Sequence, residues 1–200
     1  MGTGQSKTFI APTAIIHPTA KIGQGTKIWA FSQVAEHAKI GHSCVIGSGV
    51  YIDRYVEVGN RVRIHNRALL YHGVVIEDDV FIGPGVCFTN DPWPRSGSTR
   101  KMKSRRWFIG KGTAIGASST ILPDLNIDPY VMIGAGSVVT ESIPNNSLVY
   151  GNPARFQGIY CSCGNVLKNP PRTLPRKIIC AKCKTTIRLS EKHQHLKEKG

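Results

Sequence analysis

The feature that most constrains this chain is an apolar position that recurs every six residues. The ladder runs from Ile16 to Phe88 and again from Ile109 to Val139, and all nineteen positions in it are isoleucine, valine, leucine or phenylalanine. A helix of 3.6 residues per turn would scatter these side chains around its axis, whereas short strands joined by corners keep them on one side. The sequence therefore predicts an all-β chain wound into a triangular prism of about six coils, with three strands in each coil.

Two further positions of each six-residue repeat are restricted in size. The residue two places before the ladder is usually small or β-branched, and we interpret it as a second inward position. Its members include Ala20, Ala38, Cys44, Val50, Val62, Val74, Val86 and Ser119. Glycine often follows the ladder directly, and we interpret it as a corner residue at which φ turns positive. These glycines are Gly23, Gly41, Gly47, Gly59, Gly83, Gly110, Gly116 and Gly134.

The ladder is interrupted once, by residues 89–108. This excursion contains Trp93, Arg95 and the basic stretch 101–107. A long loop in a regular solenoid is usually functional, and its basic and aromatic content favours a ligand that carries phosphate. A flexible surface loop without a function is the alternative.

The positive charge of the chain is concentrated in two segments. The chain has 26 Lys and Arg against 12 Asp and Glu, and the excess lies in 91–111 and 155–199. Such segments attract phosphates on a nucleotide cofactor, a nucleotide-sugar or a nucleic acid, which composition alone does not separate. The sequence contains no apolar run long enough to cross a bilayer and no signal-peptide segment, so we expect a cytoplasmic protein without membrane insertion.

One corner of the predicted prism carries a column of polar side chains. Residues one coil apart stack at about 4.8 Å, as neighbouring strands do in a sheet. Arg54, His72 and Asn90 have this spacing, and the excursion begins beside them. Histidine titrates near neutral pH, so His72 is the candidate general base for deprotonating an acceptor amine or hydroxyl. A surface histidine without a chemical role is the alternative.

The repeat and two later segments resemble the hexapeptide-repeat acyltransferases. The likeness rests on the pattern aliphatic-Gly-x-x-small-x and on the segments 133–140 and 151–155, and it covers residues 11–158. It implies a left-handed parallel β-helix, whereas the general rule for parallel crossovers predicts the right hand. It also implies a homotrimer that binds acetyl-CoA between neighbouring subunits, along the C-terminal coils. The candidate CoA-binding residues are Gly116, Ala117, Gly134 and Ala135, with Lys111 and Arg155 at the phosphates.

The same resemblance implies a sugar as the acetyl acceptor. The segment around His72 is similar to the base-bearing segment of β-helix acetyltransferases that act on sugar nucleotides. The runs 88–90 and 94–96 resemble N-acetyltransferases of the UDP-3-amino-glucuronate type, although those tend to have glutamine at the position of His65 and an acidic residue at that of His72. The implied reaction is direct transfer from acetyl-CoA to an amino or hydroxyl group of a sugar, foremost a nucleotide-linked amino sugar. The candidate catalytic residues are His72, Asn90 and Asn66, and the candidate substrate-binding residues are Arg54, His65 and Arg95.

Two close cysteine pairs follow the repeat, Cys161 with Cys163 and Cys180 with Cys183. Four thiolates at this spacing are typical of a zinc ribbon that holds one structural Zn²⁺, with disulfides as the alternative. We therefore expect a zinc-ribbon-like module at 159–190 and a basic tail at 191–200. The sequence has no aromatic residue after Tyr160, so we do not expect base stacking or a nucleic-acid partner.

Two other functions fit parts of the sequence. A γ-class carbonic anhydrase shares the prism and binds zinc with three histidines, and the segment 70–73 resembles one of its ligand segments. Its second histidine would stand five residues before His72, where this chain has Arg67. A non-catalytic β-helix assembly protein is the third possibility.

Overall fold

The six-residue ladder folds as a β-solenoid in which successive short strands join three different parallel sheets in turn. The computed structural model describes residues 7–97, 106–168, 171 and 173–198. The elements are β1 Phe9–Ile10, β2 Ile15–Ile16, β3 Lys21–Ile22, β4 Lys27–Ile28, β5 Gln33–Val34, β6 Lys39–Ile40, β7 Val45–Ile46, β8 Tyr51–Ile52, β9 Glu57–Val58, β10 Arg63–Ile64, β11 Leu69–Leu70, β12 Val74–Ile76, β13 Phe81–Ile82, β14 Cys87–Phe88, β15 Trp107–Ile109, β16 Ala114–Ile115, β17 Thr120–Ile121, β18 Met132–Ile133, β19 Val138–Val139, β20 Ser147–Gly151, β21 Ala154–Tyr160, β22 Val166–Lys168, β23 Lys177–Ile179, β24 Thr186–Arg188 and α1 Glu191–Glu198.

Each sheet forms one face of the prism. Face A has the order β1-β4-β7-β10-β13-β16-β18-β20-β21-β22, face B has the order β19-β17-β14-β11-β8-β5-β2, and face C has the order β15-β12-β9-β6-β3. The seven strands of face B correspond to about seven coils, one more than the sequence predicted. The difference arises because β1 and β20 add strands beyond the two ends of the ladder.

The register between coils is constant until the excursion. Ile64 pairs with Ile46 on one side and with Ile82 on the other, so each coil advances by 18 residues. Across the excursion Ile76 pairs with Ile109, 33 residues later, and the solenoid then continues. The predicted end of the excursion at 108 is wrong by two residues, because Trp107 is already in β15, where its buried ring lies 5.7 Å from that of Phe88. Residues 98–105, which include most of the basic stretch, lie outside the described residues.

The ladder residues fill the interior of the prism. From Ile28 to Val139 each of them is at most 4% exposed, and the second inward positions are buried with them. Ile16 and Ile22 are only partly buried because they lie in the first coils, at the open end of the solenoid.

The glycines after the ladder serve a different purpose from the one predicted. Their φ angles are not positive; positive φ falls two residues later, as at Gly25 and Ser43. A Cβ on Gly41 would lie 2.5 Å from the backbone oxygen of Gly59, and a Cβ on Gly23 would lie 2.4 Å from the backbone of Gly41. The chain needs glycine there because successive coils approach too closely for any side chain.

A small module continues from the last coil. β21 and β22 extend face A with antiparallel pairing, and β23 and β24 form a hairpin. The predicted basic tail is instead the helix α1 over its described part, and it packs through buried His193 and Leu196. Among the described residues, no helix has the length and apolar character that crossing a bilayer requires.

Replacing a central ladder residue tests this account of stability. Ile64 is 1% exposed, and Ile64→Ala is expected to lower the free energy of unfolding by about 2–5 kcal/mol, because it removes buried methyl groups and leaves a cavity. The neighbouring Arg63 is exposed, so Arg63→Ala should change the same quantity by less than about 0.5 kcal/mol. Denaturant unfolding measures both, and equal losses in the two variants would contradict the inward ladder.

Candidate active site

The predicted polar column lies at the corner between faces B and C, called here the His72 corner. Leu70 pairs with Ile52 and with Phe88, so the residues two places after each of them occupy the same corner in consecutive coils. These residues are Arg54, His72 and Asn90. The ring of His72 contacts the coil below it directly, because its Nδ1 atom lies 3.0 Å from the Arg54 carbonyl oxygen.

This contact selects one tautomer of His72. A carbonyl oxygen only accepts hydrogen bonds, so Nδ1 must carry the proton that it donates to Arg54. In the neutral ring the lone pair is then on Nε2. The backbone N–H of His72 also donates to Oδ2 of Asp53 at 3.1 Å, which fixes the turn that carries the ring. The geometry therefore provides a proton-accepting nitrogen on an oriented imidazole.

A surface pocket of about 470 Å³ opens beside this ring. Its lining residues are Arg54, Tyr55, Glu57, His72, Gly73 and Arg106. The ring of Tyr55 meets that of His72 edge-on, with 5.9 Å between the ring centroids. The pocket is large enough for a monosaccharide and has both polar and aromatic surfaces, which are common in sugar-binding sites.

Arg106 is a pocket residue that the sequence analysis missed. It lies where the excursion returns to the solenoid, and its guanidinium lies 2.6 Å from the Glu57 carboxylate. Lys39 lies 3.0 Å from the other oxygen of the same carboxylate. Hydrogen bonds from Lys39 and then Arg106 hold the pKa of Glu57 below its ordinary value, so Glu57 stays charged and keeps Arg106 at the pocket. The register offered a signal, because Glu57, Val75 and Phe108 occupy one row of face C.

Asn66 and His65 lie at a different corner from His72. The corner between faces A and B, called here the glycine corner, stacks Ser48, Asn66 and the small residues predicted to bind CoA. The Asn66 side chain accepts a hydrogen bond from the Ser48 backbone N–H at 3.0 Å. Backbone contacts of Gly83 with Ala117, and of Gly116 with Ala135, continue the column upward. Of the three predicted catalytic residues, only His72 and Asn90 share a corner in one chain.

The predicted basic residues are spread over three places. Arg95 is exposed within the excursion, and its guanidinium donates to the Pro94 carbonyl. Arg155 is half-buried in β21 opposite Tyr150, which stacks on Gly134 at the end of the glycine corner.

Lys111 lies at the third corner, between faces C and A, and not with Gly116 and Gly134 as the sequence analysis had grouped it. Its backbone N–H donates to Glu77 at 2.7 Å, and its ammonium lies 3.8 Å from the Asp79 carboxylate. Acidic partners thus hold Lys111 away from the glycine corner in one chain.

The four cysteines of the C-terminal module converge. Their sulfur atoms all lie within 4.8 Å of one another, with 3.5 Å between Cys161 and Cys183 and 3.7 Å between Cys163 and Cys180. All four are free thiols, so the disulfide alternative does not describe this structure. Hydrogen bonds from Thr185 lower the pKa of Cys183 to about 6, which favours its thiolate. The cluster has the composition and spacing of a metal site.

The two cysteines outside the module are separate from this cluster. Cys44 is buried in the prism, where burial raises the pKa of its thiol, and Cys87 lies half-buried on the outer side of face B.

His193 fastens α1 to the end of the solenoid. Its Nδ1 accepts a hydrogen bond from the Ser190 backbone N–H at 3.0 Å, and its Nε2 donates to the Asn145 carbonyl at 2.6 Å. The first of these bonds caps the helix, and the second joins it to the last coil. The module is therefore docked on the solenoid rather than trailing from it.

Comparison with known proteins identifies the repeat. Residues 19–54 and 55–90 match the family described as "Bacterial transferase hexapeptide (six repeats)". Over 63 residues the chain is 51% identical to the dTDP-3-amino-3,6-dideoxy-alpha-D-galactopyranose 3-N-acetyltransferase of Aneurinibacillus thermoaerophilus, which covers 32% of this chain and 33% of that protein. Over 84 residues it is 37% identical to serine acetyltransferase 2 of Arabidopsis thaliana, covering 42% of this chain and 26% of that protein. The chain thus spans about a third or less of the length of these relatives.

Solved structures share the fold. The UDP-N-acetylglucosamine acyltransferase of Bacteroides fragilis has a TM-score of 0.65 at 19% identity, covering 76% of this chain and 61% of that one. The perosamine N-acetyltransferase of Caulobacter crescentus, solved with CoA and GDP-perosamine, has a TM-score of 0.50 at 19% identity, covering 77% of this chain and 58% of that one. At this level of identity the likeness establishes the β-solenoid and leaves the chemistry to be argued from the residues.

Proposed function

We propose that this chain, whose residues 19–54 and 55–90 are bacterial transferase hexapeptide repeats, is an acetyl-CoA-dependent acetyltransferase acting on a nucleotide-linked amino sugar. The observation that carries the proposal is the oriented His72 ring beside a pocket of monosaccharide size. The dTDP-amino-sugar N-acetyltransferase that is 51% identical over 63 residues supports the same acceptor class. An acetyltransferase that uses acetyl-CoA and a nucleotide-sugar would work in the cytoplasm.

The proposed reaction is direct transfer without an acyl-enzyme. The acceptor amine lies in the pocket and attacks the thioester carbonyl of acetyl-CoA, forming a carbon–nitrogen bond. His72 takes the amine proton on Nε2, the nitrogen that its bond to Arg54 leaves with the lone pair. Backbone N–H groups stabilise the oxyanion, and the tetrahedral intermediate collapses by breaking the carbon–sulfur bond and releasing CoA. Asn90, one coil above His72, would orient the acceptor, as would Arg54 and Arg95.

The donor is proposed to bind along the glycine corner. The small residues Gly116, Ala117, Gly134 and Ala135 leave room for a pantetheine chain to reach the backbone. Half-buried Arg155 lies near the end of this column and is suited to a CoA phosphate. Asn66 and His65 belong to the same corner, and we assign them to the donor side rather than to the base.

A second subunit is proposed to complete the site, because the His72 corner and the glycine corner are separate edges of one prism. Face B lies between these two edges, and the outward residues of its seven strands carry no charge. They are Ile15, Gln33, Tyr51, Leu69, Cys87, Thr120 and Val138. By contrast, the outward positions of faces A and C include several lysines and arginines. Three prisms packed around a threefold axis through face B would bring the His72 corner of each chain to the glycine corner of the next.

The four-cysteine cluster is proposed to hold one structural Zn²⁺. Zinc–sulfur bonds of about 2.3 Å in a tetrahedron separate the sulfurs by about 3.8 Å, close to the distances in this module. The donor set is closed by four thiolates and would leave no position for substrate. Binding would hold together β22, the β23–β24 hairpin and their connections, a segment too small to build a large core.

Two observations favour acetyl transfer over the anhydrase and assembly alternatives. His72 and His65, the two nearby histidines, lie at different corners of the chain, and Nδ1 of His72 is bonded to the Arg54 carbonyl. The curated relatives named above are acetyltransferases.

Acetyl transfer can be measured as release of free CoA thiol with acetyl-CoA and a panel of UDP- and dTDP-linked amino sugars. We expect His72→Ala to lower kcat by about a hundredfold or more, because the general base is lost. His17→Ala is the matched control, since His17 is exposed in the first coils, and it should leave kcat unchanged. Full activity in His72→Ala would reduce His72 to a structural role, and no thiol release with any acceptor would refute the proposed function.

Metal content tests the proposed zinc site. Elemental analysis of the purified chain should find one zinc per chain, and Cys163→Ser should lose most of it, because three thiolates bind the ion more weakly. Cys87→Ser should keep the metal, since Cys87 lies on face B away from the cluster. Equal zinc content in the two variants would contradict the assignment.

A further inference from the structure

The β23–β24 hairpin presents an outer face that packs against nothing in this chain. Its register pairs Lys177 with Arg188, Ile178 with Ile187, and Ile179 with Thr186. Side chains alternate along a strand, so Lys177, Ile179, Thr186 and Arg188 share one face. Ile187 is buried on the opposite face, which packs inward. All four residues of the outer face are exposed, and Ile179 is 66% exposed.

The charges around this face are of one sign. Six exposed cations lie on the hairpin, on its turn and beside it, and they are Arg176, Lys177, Lys182, Lys184, Arg188 and Lys192. In the described part of the chain, none of the six forms an ion pair with a carboxylate. Lys177 and Arg188 are direct cross-strand partners, and like charges at such positions destabilise a hairpin. A polyanionic surface laid over the face would relieve this repulsion.

An exposed aliphatic side chain among these cations indicates which polyanion. A membrane surface combines negative headgroups with an apolar layer beneath them, so cations and an inserted aliphatic side chain act together there. Stacking of nucleic-acid bases uses aromatic side chains, and residues 161–200 contain none. A second copy of this face would oppose like charges and is therefore disfavoured.

We propose that the outer face of the β23–β24 hairpin is a docking surface for an anionic phospholipid bilayer. Lys177, Arg188 and the turn lysines would lie against the phosphate groups, and Ile179 would enter the boundary between headgroups and acyl chains. The hairpin is joined to the solenoid through α1 and His193, so the whole prism would be held at the membrane surface. This inference is independent of the proposed acetyl transfer.

The test is cosedimentation of the full, zinc-loaded chain with vesicles. We expect binding to vesicles of phosphatidylcholine and phosphatidylglycerol in equal parts, little binding to phosphatidylcholine alone, and weaker binding as salt is raised. The double variant Lys177→Glu with Arg188→Glu should lose at least about tenfold in affinity. Ile179→Ser keeps every charge and should still weaken binding severalfold, because the apolar contribution is lost.

The matched control is Lys21→Glu with Lys27→Glu, which makes the same change in net charge at the opposite end of the solenoid, where both lysines are exposed. This control should bind vesicles as the wild type does. Metal content and acetyl transfer of each variant report whether it has folded.

Four results would overturn the proposal. They are no binding to anionic vesicles, an equal loss in the control pair, tighter binding to duplex DNA or poly(U) with no effect of Ile179→Ser, and a change of subunit number in the hairpin variants. The third result would assign the face to nucleic acid, and the fourth would assign it to a second copy of the chain.

Discussion

Backbone hydrogen bonding between coils is the interaction on which the rest of the structure depends. The N–H of Gly47 donates to the Ile64 carbonyl at 2.7 Å, and the N–H of His65 donates to the Ile82 carbonyl at 2.9 Å, one coil further along. Every coil is thus the template for the next, and the spacing leaves no room for a Cβ at glycines such as Gly41. Because the strands stack in register, side chains one coil apart form columns. The candidate active site consists of two of these columns.

The constant register also explains which parts of the structure could be predicted from the sequence. The inward ladder and the contact between His72 and Arg54 follow from counting 18 residues per coil. The pairing of Arg106 with Glu57 did not, because the excursion changes the spacing between paired strands to 33 residues. The position of Lys111 was misjudged because its charge was considered without its corner, where Glu77 and Asp79 hold it.

The C-terminal segment was predictable in its chemistry and not in its docking. The cysteine spacing indicated a four-thiolate cluster, and the four sulfurs do converge. A short charged stretch such as 191–198 has a weak helical signal of its own, since its packing depends on two residues, His193 and Leu196. The hydrogen bond from His193 to the Asn145 carbonyl is a contact across 48 residues that no local pattern reveals.

The central claim is that the His72 corner of one subunit and the glycine corner of its neighbour form one active site, and subunit mixing tests it most directly. His72→Ala removes the base, and Ala135→Trp fills the glycine corner at an exposed position, so each variant alone should be inactive. When the two are unfolded, mixed in equal amounts and refolded together, about a quarter of the sites in random trimers combine two intact corners. The account predicts recovery of about a quarter of wild-type thiol release, set by this same proportion. A mixture of refolded trimers that stays as inactive as its parents would contradict a site shared between subunits.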